Sequence, residues 1–183
     1  MVTTMKLLLL HSGVYGHTHE ISQHMRPSFE SEGWEVSVHS LPGAVPDPGD
    51  FDAVLIGASI RNGKHNPAVL AFIEEHAKQL SARPSAFFSV NLVARKPHKN
   101  TPETNPYVRK FLEQSPWQPD RVAVFGGRLE YQRYGRFDRW IIRFIMWMNK
   151  GPTALDTRVD FTDYDAVSAF AKEFAHFAGG STQ

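Results

Sequence analysis

The chain has no cysteine. Disulfides, thiolate catalysis, zinc–thiolate centres and iron–sulfur clusters are therefore excluded, and the lack of disulfides fits a cytoplasmic setting. No apolar run approaches the ~18 residues of a membrane-spanning helix. The opening MVTTMKLLLLHS has too short an apolar stretch for a signal peptide, and no small-residue cleavage site follows it. Charge of one sign is missing as well: 20 Lys and Arg stand against 19 Asp and Glu. That balance gives no bulk case for nucleic-acid binding. The 9 histidines show no ligand spacing, so no metal site is expected. What remains is 183 residues, 42% hydrophobic and 21% charged, which suits one globular domain over 1–183.

Apolar runs of strand length alternate with helical patterns. Strands are expected over Met5 to His11, Trp34 to Ser40, Phe51 to Ser59, Pro84 to Asn91 and Arg121 to Gly127. The first helix shows the stripe Ile21, Met25, Phe29 and stops at Gly33. The second has Asn66 as N-cap and Pro67 at the first helical position. Further helices fall around Asn105 to Gln114 and Asp163 to Phe177. This alternation predicts an α/β fold, a flavodoxin-like three-layer sandwich with a five-stranded parallel sheet in the order 2-1-3-4-5.

In such a sheet, ligands bind outside the carboxyl ends of the strands, near the switch point. Three segments should meet there. The first, in LLLLHSGVYGHTHEI, comprises Ser12, Gly13, Val14, Tyr15, Gly16, His17 and Thr18. A strand that breaks into a glycine-containing loop and opens onto a helix can hold a phosphate on backbone N–H groups and the helix dipole. An ordinary βα turn with convenient glycines is the competing reading. The second segment, SIRNGKH, brings Ser59, Ile60, Arg61, Asn62 and Gly63. The third, SVNLVARK, brings Ser89, Val90, Asn91, Leu92, Val93, Ala94 and Arg95. One phosphate loop without a G-x-G-x-x-G suits FMN better than a dinucleotide.

A long insertion follows the fifth strand, about 126–152. RFDRWIIRFIMWMNK, Arg136 to Lys150, reads as a helix with Phe137, Trp140, Ile141, Phe144, Ile145 and Met148 on one face and Arg139 and Arg143 opposite. Six basic residues against two acidic ones leave the insertion a surplus of four positive charges. About 13 helical residues rise only ~20 Å and cannot span a bilayer. Four readings stay open: an interfacial helix, a contact between copies in a homo-oligomer, a lid, or simple packing on the domain.

The segments GASIRNGKHNPAVLAFIEEHA, PSAFFSVNLVARKP, TNPYVRKFL and WQPDRVAVFGG, with the basic–apolar pattern from Arg133 to Met148, resemble the bacterial flavodoxin-like, quinone-dependent protoporphyrinogen IX dehydrogenase family. The likeness runs from about Lys6 to Phe177. It implies a flavoprotein oxidoreductase of haem and porphyrin biosynthesis, with FMN as cofactor and menaquinone or ubiquinone as acceptor. Carried over by motif, Ser12 to Thr18 would hold the FMN phosphate, Ser89 to Arg95 would border the isoalloxazine ring, and Ser59 to Gly63 would lie on its other side. The family's first loop reads Ser-Thr-x-x-Gly-x-Thr; here Gly13 takes the second position, which removes one hydroxyl donor. The substrate's propionates would need cations, and Arg61, Arg95, Lys96, Arg133 and Arg136 are the candidates. No catalytic acid or base is singled out. A quinone acceptor implies a peripheral place at the cytoplasmic face of the inner membrane, with contact through Arg136 to Lys150. An NAD(P)H:quinone reductase, a flavodoxin-like electron carrier and a flavin-free interaction module are the alternatives. The carriers of this fold are typically acidic, unlike this chain.

Overall fold

A computed structural model describes residues 3–181. Its main sheet contains β1 (Met5–Ser12), β2 (Trp34–Ser40), β3 (Ala53–Arg61), the two-residue β4 (Lys64–His65), β5 (Ser85–Asn91) and β6 (Arg121–Gly126). The five long strands are parallel and lie in the order β2-β1-β3-β5-β6, which is the expected 2-1-3-4-5 pattern. Leu7 to Leu10 are all fully buried, as a central strand covered on both faces demands. Their parity divides the core. Leu7 and Leu9 join one apolar cluster with α1 (His17–Ser31) and α5 (Tyr164–Gly180), through Ile21, Met25, Phe170 and Phe174. Leu8 and Leu10 join the opposite cluster with α2 (Pro67–Ser81) and α3 (Pro106–Gln114), through Val69, Ile73 and Phe111.

The helix starts are set by local chemistry. Asn66 Oδ1 accepts from Ala68 N at 3.0 Å, with Pro67 at the first position. Asn105 and Asp163 cap α3 and α5 in the same way. Gly57 in β3 faces Phe88 in β5, and a Cβ there would stand 2.0 Å from the Phe88 ring. The glycine therefore makes room for an aromatic side chain in the sheet layer.

Two expectations change. The third strand does not end at Ser59. It continues to Arg61 and turns back through Asn62 and Gly63, both at positive φ (51° and 77°), so that Arg61 pairs with Lys64 and Ile60 with His65. An Asn-Gly turn with both residues left-handed matches the right-handed twist of a hairpin. The insertion also extends beyond 152. Its first strand β7 (Arg128–Glu130) pairs antiparallel with β8 (Arg158–Asp160), and the helix α4 (Arg136–Met148) lies between them. Leu129, Tyr131, Tyr134 and Met146 form a third, smaller cluster, with Tyr15 and Leu92 of the core loops packed against it.

Candidate functional site

The loop after β1 is built for an anion. Gly16 precedes α1 at φ 81°, and no side chain caps the helix. An uncapped start leaves N–H donors and the positive end of the helix dipole to a ligand. Thr18 is fully buried, and its Oγ1 has no hydrogen-bond partner among the described residues. A Cβ on Gly13 would come within 2.6 Å of that oxygen. The glycine at the second loop position thus leaves the Thr18 hydroxyl its place. An orphaned buried hydroxyl beside an uncapped helix start suits a phosphate group, so the residues present fit FMN.

This loop opens into a cleft of about 1200 Å³, its solvent-open mouth included. Gly13, Val14, Tyr15, His17 and Thr18 line it from the first loop. Ser59, Ile60, Arg61, Asn62 and Gly63 line it from the β3–β4 hairpin, and Val90, Asn91, Leu92, Val93 and Arg95 from the end of β5. Ser12 lies in the adjoining hollow with Lys64 and His65. Gly16, Ser89 and Ala94 line neither space. Gly16 shapes the backbone, and Ala94 is buried behind the loop with its N–H donating to Asn91 Oδ1 at 3.0 Å.

Ser89 is displaced from its expected role by strand parity. Like Phe87 it points to the α2–α3 side, where its Oγ lies 2.8 Å from His65 Nε2 and 3.1 Å from Asn91 Nδ2. Asn91 in turn accepts from Asn105 Nδ2 at 3.0 Å. This buried network fixes the turn that carries Leu92 to Arg95. Burial pushes the His65 imidazole down to about 4, so it is neutral at pH 7.

The insertion roofs the cleft, with α4 tied to the core loops at both ends. Near its start, Asp138 is 4% exposed. It accepts from the Tyr15 hydroxyl and, at 3.0 Å, from Arg61 Nε. Burial and the Asp138 carboxylate push the Tyr15 phenol up to about 12, so it remains a donor. At the far end, Arg95 Nη2 donates to the Asn149 carbonyl at 3.4 Å and Lys96 Nζ to Asn149 Oδ1 at 2.9 Å. An anion in the first turn and cations beside the last carbonyls both complement the helix dipole. Of the five candidate cations, Arg61, Arg95 and Arg133 line the cleft, while Lys96 and Arg136 do not.

Sequence reasoning missed Asp138, Glu130, Tyr134 and Met146, which also line the cleft. A signal was available: Asp138, Ile142 and Met146 recur every fourth residue, and Asp138 is the lone acid of α4.

Of the apolar face expected on α4, Ile141 and Ile145 line the cleft, whereas the aromatic stripe does not pack on the domain. Phe137, Trp140, Phe144 and Met148 are 73, 70, 57 and 63% exposed, and Trp147 is 69% exposed. The arginines face inward instead. Arg139 Nε donates to the Tyr131 carbonyl at 2.9 Å, and Arg143 Nε to the Thr153 carbonyl at 2.8 Å. Simple packing of the aromatic stripe is therefore ruled out. Among the described residues no helix is long and apolar enough to cross a membrane.

Comparison with known proteins agrees with this architecture. The family described as Flavodoxin domain matches residues 8–156. The chain is 44% identical to the protoporphyrinogen IX dehydrogenase (quinone) of Escherichia coli strain K12 over 179 residues, which cover 97% of this chain and 99% of that protein. It is 52% identical over 126 residues to the protein of the same name from Leishmania major, covering 69% of this chain and 54% of that one. Among solved structures, a short-chain flavodoxin associated with a bacterial microcompartment superposes with a TM-score of 0.58 at 9% identity, over 98% of this chain and 99% of that one. That likeness concerns the fold alone.

Proposed function

Because the chain belongs to the flavodoxin-domain family of quinone-dependent protoporphyrinogen IX dehydrogenases, we infer that it is an FMN-dependent oxidoreductase of haem biosynthesis. It oxidises protoporphyrinogen IX to protoporphyrin IX with a quinone as acceptor. The single observation that carries the reading into this chain is the continuity of one cleft. A phosphate cradle at Gly13–Thr18 leads into apolar walls from Leu92, Val93, Ile142 and Met146, with arginines at its edge. When bound, FMN would supply the two-electron redox chemistry between porphyrinogen and quinone.

The residues bind, orient and shield. Gly13 to Thr18 hold the phosphate. Arg61, Asn62 and Gly63 on one side, and Asn91 to Arg95 on the other, flank a planar ring. The roof made by α4 keeps water from the reacting centre. The full conversion removes six electrons and six protons, so three quinones are reduced to quinols for each porphyrin formed.

We also propose that α4 rests on the membrane that holds the quinone. Its exposed aromatic stripe is framed by Arg136 at the start of the helix and Lys150 just beyond its end, both exposed. Aromatic rings at headgroup level and cations on anionic lipid suit a helix lying in the interface. In vesicle co-sedimentation, the wild type is expected to follow anionic vesicles and the Trp140→Glu, Phe144→Glu variant to stay in the supernatant. Equal sedimentation of the two folded proteins would refute the contact. A wild type that ignores vesicles but dimerises, with the variant monomeric, would assign the face to a second copy.

The activity test uses FMN-reconstituted protein under anaerobic conditions. Protoporphyrinogen IX is added with and without a menaquinone analogue, and porphyrin fluorescence is followed. Fluorescence that rises only with quinone is the expected result. A fully FMN-loaded protein that yields none would return the electron-carrier reading to first place.

A further inference from the structure

One arrangement occurs twice at the cleft. Arg61 and Arg133 both line it, and their side chains are half exposed, at 53% and 45%. Each is held from behind by a carboxylate that is almost wholly buried, Asp138 at 5% and Glu130 at 8%. Arg61 reaches Asp138 Oδ2 through Nε at 3.0 Å and Nη2 at 2.9 Å. Arg133 Nε pairs by charge with Glu130 Oε2 at 3.1 Å, without hydrogen-bond alignment, so that buried oxygen keeps no hydrogen-bond partner among the described residues. Tyr15 joins the two pairs: its hydroxyl donates to Asp138, and its carbonyl accepts from Arg133 Nη1 at 3.4 Å. Arg158 completes the shell of Glu130, with Nε 3.1 Å from Oε1.

Burying a carboxylate against a half-exposed arginine adds little net stability, because desolvation offsets the attraction. What the arrangement does supply is orientation. A free arginine loses much of its rotamer entropy when it is fixed on a ligand. Here part of that ordering is already done, for Arg61 by the Asp138 carboxylate and for Arg133 by the Tyr15 carbonyl together with the Glu130 charge. Each guanidinium keeps one terminal nitrogen, Nη1 of Arg61 and Nη2 of Arg133, without a hydrogen-bond partner among the described residues. The core supplies Arg61 and Tyr15, while the insertion supplies Asp138, Glu130 and Arg133.

We propose that Arg61 and Arg133 form a two-pronged site for the two propionate carboxylates of the tetrapyrrole, aimed by Asp138 and Glu130 as positioning residues. The assignment rests on the function proposed above and narrows its five candidate cations to two. It makes the insertion the part of the molecule that recognises a dicarboxylic substrate. It also orients the macrocycle, with its acid edge at the arginines and its apolar edge toward Ile142 and Met146.

The test compares protoporphyrinogen IX with its dimethyl ester, which keeps the macrocycle and removes both charges. FMN occupancy is measured by absorbance in every sample. The wild type should favour the diacid by about tenfold or more in KM, the size of a charge-assisted hydrogen bond. Arg61→Gln and Arg133→Gln should each raise KM for the diacid about five- to tenfold, with a smaller change in kcat, and narrow the acid-over-ester preference. Asp138→Asn and Glu130→Gln should act in the same direction but less, because they disorder the arginine without removing it. Arg61→Lys should not restore the preference, since a point charge does not reproduce the guanidinium fork.

Equal KM for diacid and diester in the wild type would overturn the site; this measurement needs no variant to fold. An undiminished preference in both arginine variants would overturn it as well. Failure of the wild type to oxidise either compound would instead overturn the functional reading. In that event, binding of protoporphyrin IX and its dimethyl ester, followed by quenching of protein fluorescence, still decides the arginine assignment by the same ratios.

Discussion

Phe88 and Trp140 are both large aromatic residues with opposite surroundings. Phe88 is fully buried in β5 over Gly57, whereas Trp140 is 70% exposed on α4. The same contrast separates the two regions they represent. In the sheet region, apolar side chains alternate between two clusters, and polar groups stay at the strand ends. In the insertion, arginines turn inward to satisfy backbone carbonyls, and the aromatic stripe is left outside. The sheet is held by burial throughout, whereas α4 buries little besides Asp138 and Met146 and is held also by hydrogen bonds at its two ends and along its arginine side. A helix buried along so narrow a strip keeps its aromatic stripe exposed.

Phe88→Ala should cost about 3–5 kcal/mol in denaturant unfolding, since it empties a close-packed site. A loss below about 1 kcal/mol would mean that the sheet is not where stability resides.

A second test uses pH. Burial lowers the His65 pKa from 6.5 to about 4. Between these values the unfolded chain binds a proton that the folded chain does not, so stability falls as pH drops from about 6.5 toward 4. The full effect is on the order of 3 kcal/mol. His11, lowered to about 4 mainly by burial and then by His19 and His39, acts in the same direction, to a lesser extent because it is more exposed. Thermal unfolding from pH 7 to 4.5 should show this slope, and His65→Gln should flatten it.

Arg143→Met removes the donor to the Thr153 carbonyl and should cost about 1 kcal/mol. Hydrogen exchange should quicken across α4 and leave β1, β3 and β5 protected. Uniform loss of protection would mean that the two regions unfold as one. The smallest effect belongs to the exposed stripe. The Trp140→Glu, Phe144→Glu variant should change stability by less than about 0.5 kcal/mol per site, while its expected effect on vesicle binding is large. A large loss of stability would show that the stripe is packed after all.

Much of the sheet region was legible. Four leucines in succession, the cap at Asn66 and the stripe Ile21–Met25–Phe29 act over a few residues, and local chemistry sets them. The three strand-end segments were also found, because parallel strands bring their carboxyl ends to one edge. Within its segment Ser89 differs from its neighbours, because strand parity turns it away from the cleft toward His65. The Asn62-Gly63 turn was readable as a hairpin, but its residues also suit a binding loop.

The orientation of α4 could not be read in this way. Helical periodicity places Trp140 and Phe144 on one face and Arg139 and Arg143 on the other, whichever face turns inward. By itself, then, the sequence determined the strands, their order and the cleft's three walls, since these follow from local propensity and period-two burial. The tertiary structure alone decided the roof: that α4 turns its arginines inward, and that Asp138 meets Tyr15 and Arg61. Those contacts join residues more than seventy positions apart, and no local preference encodes which distant carbonyl or guanidinium a side chain will find.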